Sequence, residues 1–159
     1  MITAATKSVE DTRALAAEVA ALAAPGDLVV LAGDLGTGKT AFAQGFARGL
    51  GVDEQVTSPA FVLVRTYEGR LPLVHLDVYR LDHMQELVDL GIAELLDEGA
   101  VTLIEWGDAV TPGLPSDFLE VRLETGDAPD DRFLTIRSVG PAWPPRADRL
   151  RKAVSRWTA

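Results

Sequence analysis

The chain has no cysteine, which excludes disulfides and thiolate metal sites and fits a reducing compartment. Its two histidines are too few for a dedicated zinc centre. Basic residues are scarce: 15 Lys and Arg stand against 24 Asp and Glu, a formal net charge of −9. A protein that grips a polyanion over a broad face needs clustered cations, so any nucleic-acid role is expected to be indirect. No apolar run approaches membrane-spanning length, and Met1 to Lys7 lead into charged residues rather than an apolar signal core. A cytoplasmic protein is expected. Internal repeats and low-complexity segments are also missing.

What remains is an ordinary globular composition, 47% apolar and 25% charged over 159 residues. That length suits one domain with a real core, here expected over residues 1–159. Its core would cover about 8–139, followed by a Pro-rich turn and a basic helix in 140–159. In that tail Arg146, Arg149, Arg151, Lys152 and Arg156 form either a solvated helix face or a docking surface for a partner or RNA.

Ser8-x-x-Asp11 resembles a capping box, and Leu15, Val19 and Leu22 recur at helical spacing before Pro25-Gly26 ends the helix. Leu28 to Ala32 is a continuous apolar run, the signature of a strand buried on both faces of a parallel sheet. Phe42, Phe46 and Leu50 mark the buried face of a second helix that stops near Gly51. Phe61 to Tyr67 and Leu71 to Val78 read as a hairpin around Glu68-Gly69-Arg70. Helical turns follow from Met84 to Leu96, interrupted at Gly91, and then a buried strand Val101 to Ile104 ends in Glu105. Phe118 to Leu123 and Phe133 to Val139 alternate as half-buried strands around a polar turn at 126–131. The expected fold is α/β: a mixed, largely parallel central sheet flanked by helices.

Between the first buried strand and the second helix stands Gly33-Asp34-Leu35-Gly36-Thr37-Gly38-Lys39-Thr40. Glycines let such a loop bend around phosphates and turn consecutive N–H groups toward the anion at a helix N-terminus. In this P-loop pattern Lys39 neutralises β/γ-phosphate oxygens and the Thr40 hydroxyl is a magnesium ligand. The matching acid at the end of a buried strand is Glu105, with Asp77 as a further carboxylate ending the run Leu73 to Leu76. Thr57 and Ser58, ahead of Pro59, lie where NTPases often place a segment that senses the γ-phosphate, although Ser-Pro is also ordinary turn chemistry. His75 is either packed or orienting a neighbour. Trp106, Trp143 and Trp157 read as packing residues.

The loop at 33–40, then Thr57-Ser58-Pro59-Ala60-Phe61, then His75-Leu76-Asp77-Val78-Tyr79-Arg80, then Leu103-Ile104-Glu105-Trp106 resemble the bacterial TsaE (YjeE) family in order and spacing. The resemblance covers about Ser8 to Val139. It implies a magnesium-dependent ATPase, weak in isolation, that serves threonylcarbamoyladenosine formation at position 37 of tRNA. It also implies docking on a TsaB–TsaD pair, with TsaC supplying threonylcarbamoyl-adenylate and ATP hydrolysis to ADP resetting the assembly between turnovers. By matching position, Asp34, Leu35, Gly36, Thr37, Gly38, Lys39 and Thr40 would bind nucleotide, Thr40 and Glu105 magnesium, and Asp77 would be needed for hydrolysis. Arg132 matches a region near the nucleotide, and the helix start from Val9 to Thr12 the adenine side. One departure is Ala60, where the family usually has threonine.

A small-molecule kinase is the alternative, since such kinases share the loop and the sheet. It would commonly need an arginine-bearing lid, and none is evident between the core strands. A GTP switch would select guanine through Asn-Lys-x-Asp, and the chain contains no asparagine. A non-catalytic module that uses ATP only as a structural ligand remains a third class.

Overall fold

A computed structural model of the chain describes residues 1–34, 36–57, 64–77, 94, 97–105 and 115–158. Leu35, Ser58, Pro59, Ala60, Phe61, Val78 to Arg80, Trp106 and the helical turns expected between Met84 and Leu96, Glu94 apart, lie outside the described residues.

The strands are β1 (Ile2–Thr6), β2 (Leu28–Ala32), β3 (Val64–Tyr67), β4 (Leu73–Asp77), β5 (Val101–Glu105), β6 (Phe118–Thr125) and β7 (Arg132–Val139). They form one sheet in the order β1-β7-β6-β2-β5-β4-β3. The four central strands β6, β2, β5 and β4 run parallel, and the outer pairings β1–β7, β7–β6 and β3–β4 are antiparallel. The helices are α1 (Val9–Ala20), α2 (Lys39–Gly49) and α3 (Ala147–Ala153). This is the mixed, centrally parallel α/β architecture expected. Among the described residues no helix is long and apolar enough to cross a membrane.

All five residues of β2, β4 and β5 are buried. Burial on both faces explains the unbroken apolar run of β2, whereas β4 and β5 carry His75, Asp77, Thr102 and Glu105 among their buried residues. Alternate side chains divide between two cores. Val29, Leu31, Leu73, Leu103, Val121 and Ile136 pack with α1, α2 and the C-terminal segment, whereas Leu28, Val30, Val74, Leu76, Ile104 and Phe118 fill the other face. Phe42 and Phe46 on α2 are fully buried, and burial of each stabilises the fold by about 2–3 kcal/mol.

Local signals set the helix ends. Ser8 Oγ accepts from Asp11 N at 3.0 Å while Asp11 Oδ2 accepts from Lys7 N at 3.0 Å, a reciprocal cap of α1. Helix α2 ends through Gly51, at φ +78°: Gly51 N donates to Arg48 O and Val52 N to Ala47 O, both at 3.0 Å, a Schellman closure. The two helices approach closely at Gly45, where a Cβ would collide with the Arg13 backbone. Glu10 joins them at the surface, accepting from Arg48 at 2.6 Å and Arg13 at 3.3 Å. The Arg48 hydrogen bond holds the Glu10 carboxyl below its ordinary range, yet so exposed a pair adds little stability.

Two features depart from the sequence reading. Ile2–Thr6 is an edge strand on β7 rather than a lead-in. Arg146 does not belong to a solvated basic face: it is 9% exposed and meets Asp27 with two hydrogen bonds of 2.6 and 2.9 Å. Its guanidinium also lies 3.8 Å from the Trp143 ring centroid. Arg149, Arg151, Lys152 and Arg156 do remain exposed.

Candidate functional site

Because β2, β4, β5 and β6 are parallel, their carboxyl ends share one edge of the sheet. The loop at 33–38 leaves β2 there, Asp77 and Glu105 end β4 and β5 there, and the antiparallel β7 begins there with Arg132. Thr6 pairs with Arg132, so the start of α1 reaches the same edge. Open α/β sheets bind ligands outside these strand ends.

Three glycines shape the loop. Gly33, Gly36 and Gly38 have φ of +147°, +82° and +100°. At Gly33 a Cβ would also lie 2.5 Å from Leu123 O and 2.7 Å from Thr37 Oγ1, so the loop can pass over β6 only without a side chain. Thr37 Oγ1 donates to Asp34 O at 2.8 Å and fastens the turn on itself. Lys39 is 5% exposed, and its Nζ donates to Gly33 O at 2.7 Å and Asp34 O at 2.9 Å. A buried ammonium is thus held by the loop's own carbonyls at the start of α2, a helix N-terminus being where an anion is favoured.

From outside the loop, Arg132 supplies a second set of bonds. Its Nε donates to Thr37 O at 3.0 Å and one Nη to Gly36 O at 3.2 Å, while the other Nη donates to Pro129 O and Asp131 O, both at 2.7 Å. Arg132 thereby ties down the Gly36 and Thr37 carbonyls of the loop. Reading the sequence marked Arg132 through a resemblance; its grip on these carbonyls depends on a contact 95 residues apart and had no local signal.

Beneath the start of α2, Glu105 is 3% exposed and its two carboxylate oxygens have different neighbours. Oε1 lies 3.4 Å from Thr40 Oγ1, and Oε2 lies 2.6 Å from His75 Nε2. Asp77, 5% exposed, is the cross-strand partner of Glu105. The structure therefore gathers Lys39, Thr40, Asp77 and Glu105 with His75, whose part in the cluster the sequence left open. Thr57 is exposed and stands apart from these contacts, although Val56 O, its neighbour, accepts from Gln44 of α2 at 3.1 Å. Val9, the first residue of α1, is 46% exposed.

The donor set fits magnesium better than zinc or calcium. Among the described residues no group of three or more His, Cys, Asp or Glu could enclose a metal. Magnesium needs no such cage, since one hydroxyl, one carboxylate, phosphate oxygens and water complete its shell. Adjacent ligands on an octahedral ion at ~2.1 Å lie about 3 Å apart, close to the separation of Thr40 Oγ1 and Glu105 Oε1.

Comparison with known proteins gives a family and a fold relative. A family model described as "Threonylcarbamoyl adenosine biosynthesis protein TsaE" matches residues 6–133. A Bacillus subtilis protein named tRNA threonylcarbamoyladenosine biosynthesis protein TsaE is 44% identical over 133 residues, covering 82% of each chain. A Streptomyces coelicolor protein of the same name is 39% identical over 138 residues, covering 82% of this chain and 93% of its own. The crystal structure of Bacillus subtilis YdiB superposes with a TM-score of 0.79 at 36% identity, covering 98% of this chain and 94% of that one.

Proposed function

The chain belongs to the TsaE family, and from that premise we propose that it binds ATP with magnesium and hydrolyses it to support threonylcarbamoyladenosine formation on tRNA. The observation that supports this reading most directly is the meeting of Lys39, Thr40 and Glu105 at one strand-end edge, beside a loop whose Gly36 and Thr37 carbonyls are tied by Arg132. Those are the parts phosphoryl chemistry asks of a protein, since its catalysis is mostly positioning and charge stabilisation.

In this reading backbone N–H groups of the glycine-rich loop would cradle the phosphates, and Lys39 would leave its carbonyl partners to meet the β/γ oxygens. Thr40 and Glu105 hold magnesium, which supplies positive charge to the phosphate oxygens when bound. Asp77, beside Glu105, orients the attacking water. The half-exposed start of α1 near Val9, across from Arg132, offers the base a side to rest against.

The substrate of the larger process is tRNA, but a chain of net charge −9 is poorly suited to hold it alone. We therefore assign tRNA contact to partners, a TsaB–TsaD pair fed by TsaC, on which this chain docks in a cytoplasmic assembly. Its hydrolysis would reset that pair after each modification, and turnover in isolation would be slow because the site is completed on docking.

Reconstitution of tRNA modification tests the proposal. With TsaB, TsaD and TsaC present, product should exceed one equivalent per TsaB–TsaD only when this chain and ATP are added. Equal multiple-turnover product without the chain overturns the reset role. A kinase would instead transfer the γ-phosphoryl group to an acceptor rather than release phosphate.

A further inference from the structure

We propose that His75 is a positioning residue, which fixes the Glu105 carboxylate so that its free oxygen faces Thr40 and the metal position. The inference rests on the reading that Thr40 and Glu105 flank a magnesium ion.

Strand register brings the pair together. In the parallel pairing of β4 with β5, His75 is opposite Leu103 and Asp77 is opposite Glu105. Residues two apart share a face, so His75, Asp77, Leu103 and Glu105 all point to the side of the sheet that α2 covers. From there His75 reaches diagonally to Glu105, and its Nε2 lies 2.6 Å from Oε2. A carboxylate that holds a cation is ionised and can only accept, so in this role Nε2 carries the proton and the imidazole donates.

The ring has 0% exposure and its Nδ1 makes no hydrogen bond among the described residues. As a packing residue it is a poor choice, because a leucine, as at position 73 on the same face, would fill the space without burying an unpaired nitrogen. The bond it does make goes to the candidate metal carboxylate. A glutamate side chain has three rotatable bonds, and anchoring Oε2 leaves Oε1 a narrow range of positions, the one observed being 3.4 Å from Thr40 Oγ1. Groups that orient a ligating side chain in this way commonly change metal affinity by 10- to 100-fold when removed.

Three substitutions separate orientation from packing. His75→Gln places an amide N–H near the original Nε2, His75→Asn places one near Nδ1, and His75→Leu fills the space without a donor. Each full-length variant is first checked for a cooperative thermal transition. ADP affinity is then measured calorimetrically in EDTA, and Mn2+ affinity of the ADP-bound protein by electron paramagnetic resonance titration. We expect His75→Leu and His75→Asn to weaken Mn2+ binding by about tenfold or more with ADP affinity in EDTA unchanged, and His75→Gln to recover most of the loss. In a Glu105→Ala background His75→Leu should change Mn2+ affinity no further. Wild-type Mn2+ affinity in folded His75→Leu, or an equal loss with and without Glu105, overturns the positioning role while leaving the nucleotide site intact. Failure of the wild-type chain to bind ADP at all overturns both readings.

Discussion

Arg132, the first residue of β7, donates its Nε proton to the carbonyl of Thr37 at 3.0 Å, so the loop between β2 and α2 is braced by a strand 95 residues away. The same guanidinium reaches Gly36 O. Arg132→Ala should therefore leave the sheet folded but release the loop, lowering ATP affinity by about tenfold or more. Arg132→Lys should recover little, because one ammonium cannot reproduce a planar fork spread over several carbonyls. Isothermal calorimetry on both variants checks this. Wild-type affinity in Arg132→Ala would mean that the glycines and Thr37 shape the loop unaided.

Lys39→Ala should cost more, at least about a hundredfold in ATP affinity, because several phosphate charges would lose their only buried ammonium partner in the loop. In the absence of nucleotide the variant also loses the bonds to Gly33 O and Asp34 O, so loop amides should exchange faster with deuterium. Unchanged calorimetric affinity in a folded Lys39→Ala protein would remove the phosphate-loop assignment.

Asp27 and Arg146 form a buried pair 119 residues apart at the amino end of β2, the end opposite the loop. Arg146→Ala would leave the buried Asp27 carboxylate without its counter-charge, holding only the Ala24 N–H among the described residues, and should destabilise the protein by about 3–5 kcal/mol in urea unfolding. ATP affinity measured well below the unfolding transition should not change, since among the described residues the pair's side-chain hydrogen bonds go to Ala24, Leu22 and Ala142 and to none of the candidate site. A loss below 1 kcal/mol would show that water or Trp143 compensates for the missing partner.

The parts legible in the sequence are those encoded by neighbours in the chain. The run Leu28 to Ala32 and the alternation from Phe118 to Leu123 and from Phe133 to Val139 each reflect a local pattern, and each forms a strand, β6 and β7 extending slightly beyond the expected bounds. Ile2–Thr6 escaped because Ile-Thr-Ala-Ala-Thr has small, weakly alternating residues, and its identity as a strand comes from β7. Arg146 reads as one more surface cation until Asp27 is seen beside it. The contacts of Glu105 with His75 and Thr40 likewise depend on register and on strand order, neither of which a single period reveals.

Thr40→Ala and Glu105→Gln should act on the metal dependence rather than on the fold. Thr40→Ala removes one oxygen of a pair 3.4 Å apart and Glu105→Gln removes the charge of the other, and a hard cation with few protein ligands is sensitive to either loss. The magnesium concentration for half-maximal ATPase rate should rise by about tenfold or more in both variants. The double variant should fall short of the sum, because the two groups serve one ion. Identical magnesium titrations for wild type and Glu105→Gln would make the carboxylate a structural partner of His75 alone.

Asp77 offers the sharpest division between binding and chemistry. It ends β4 directly opposite Glu105 and is 5% exposed, so a second buried carboxylate stands beside the proposed metal ligand. If both served only to bind, that repetition would be costly, since two carboxylates near a polyphosphate repel it. A role in the reaction step accounts for the arrangement, with Asp77 orienting water toward the γ-phosphate. Asp77→Ala should then leave ATP affinity unchanged or slightly tighter, while hydrolysis with partners present drops by about a hundredfold or more. Asp77→Asn keeps the shape and loses the charge, so it should bind as well and hydrolyse as poorly. Multiple-turnover tRNA modification should fail in parallel, yet association with TsaB and TsaD in ATP should persist if the proposed docking depends on bound nucleotide rather than on its cleavage. Paired binding and phosphate-release assays decide the matter. Wild-type hydrolysis by both variants would make Asp77 a strand-end structural residue, and a large loss of ATP affinity in Asp77→Asn would move it from the reaction to the binding of the metal.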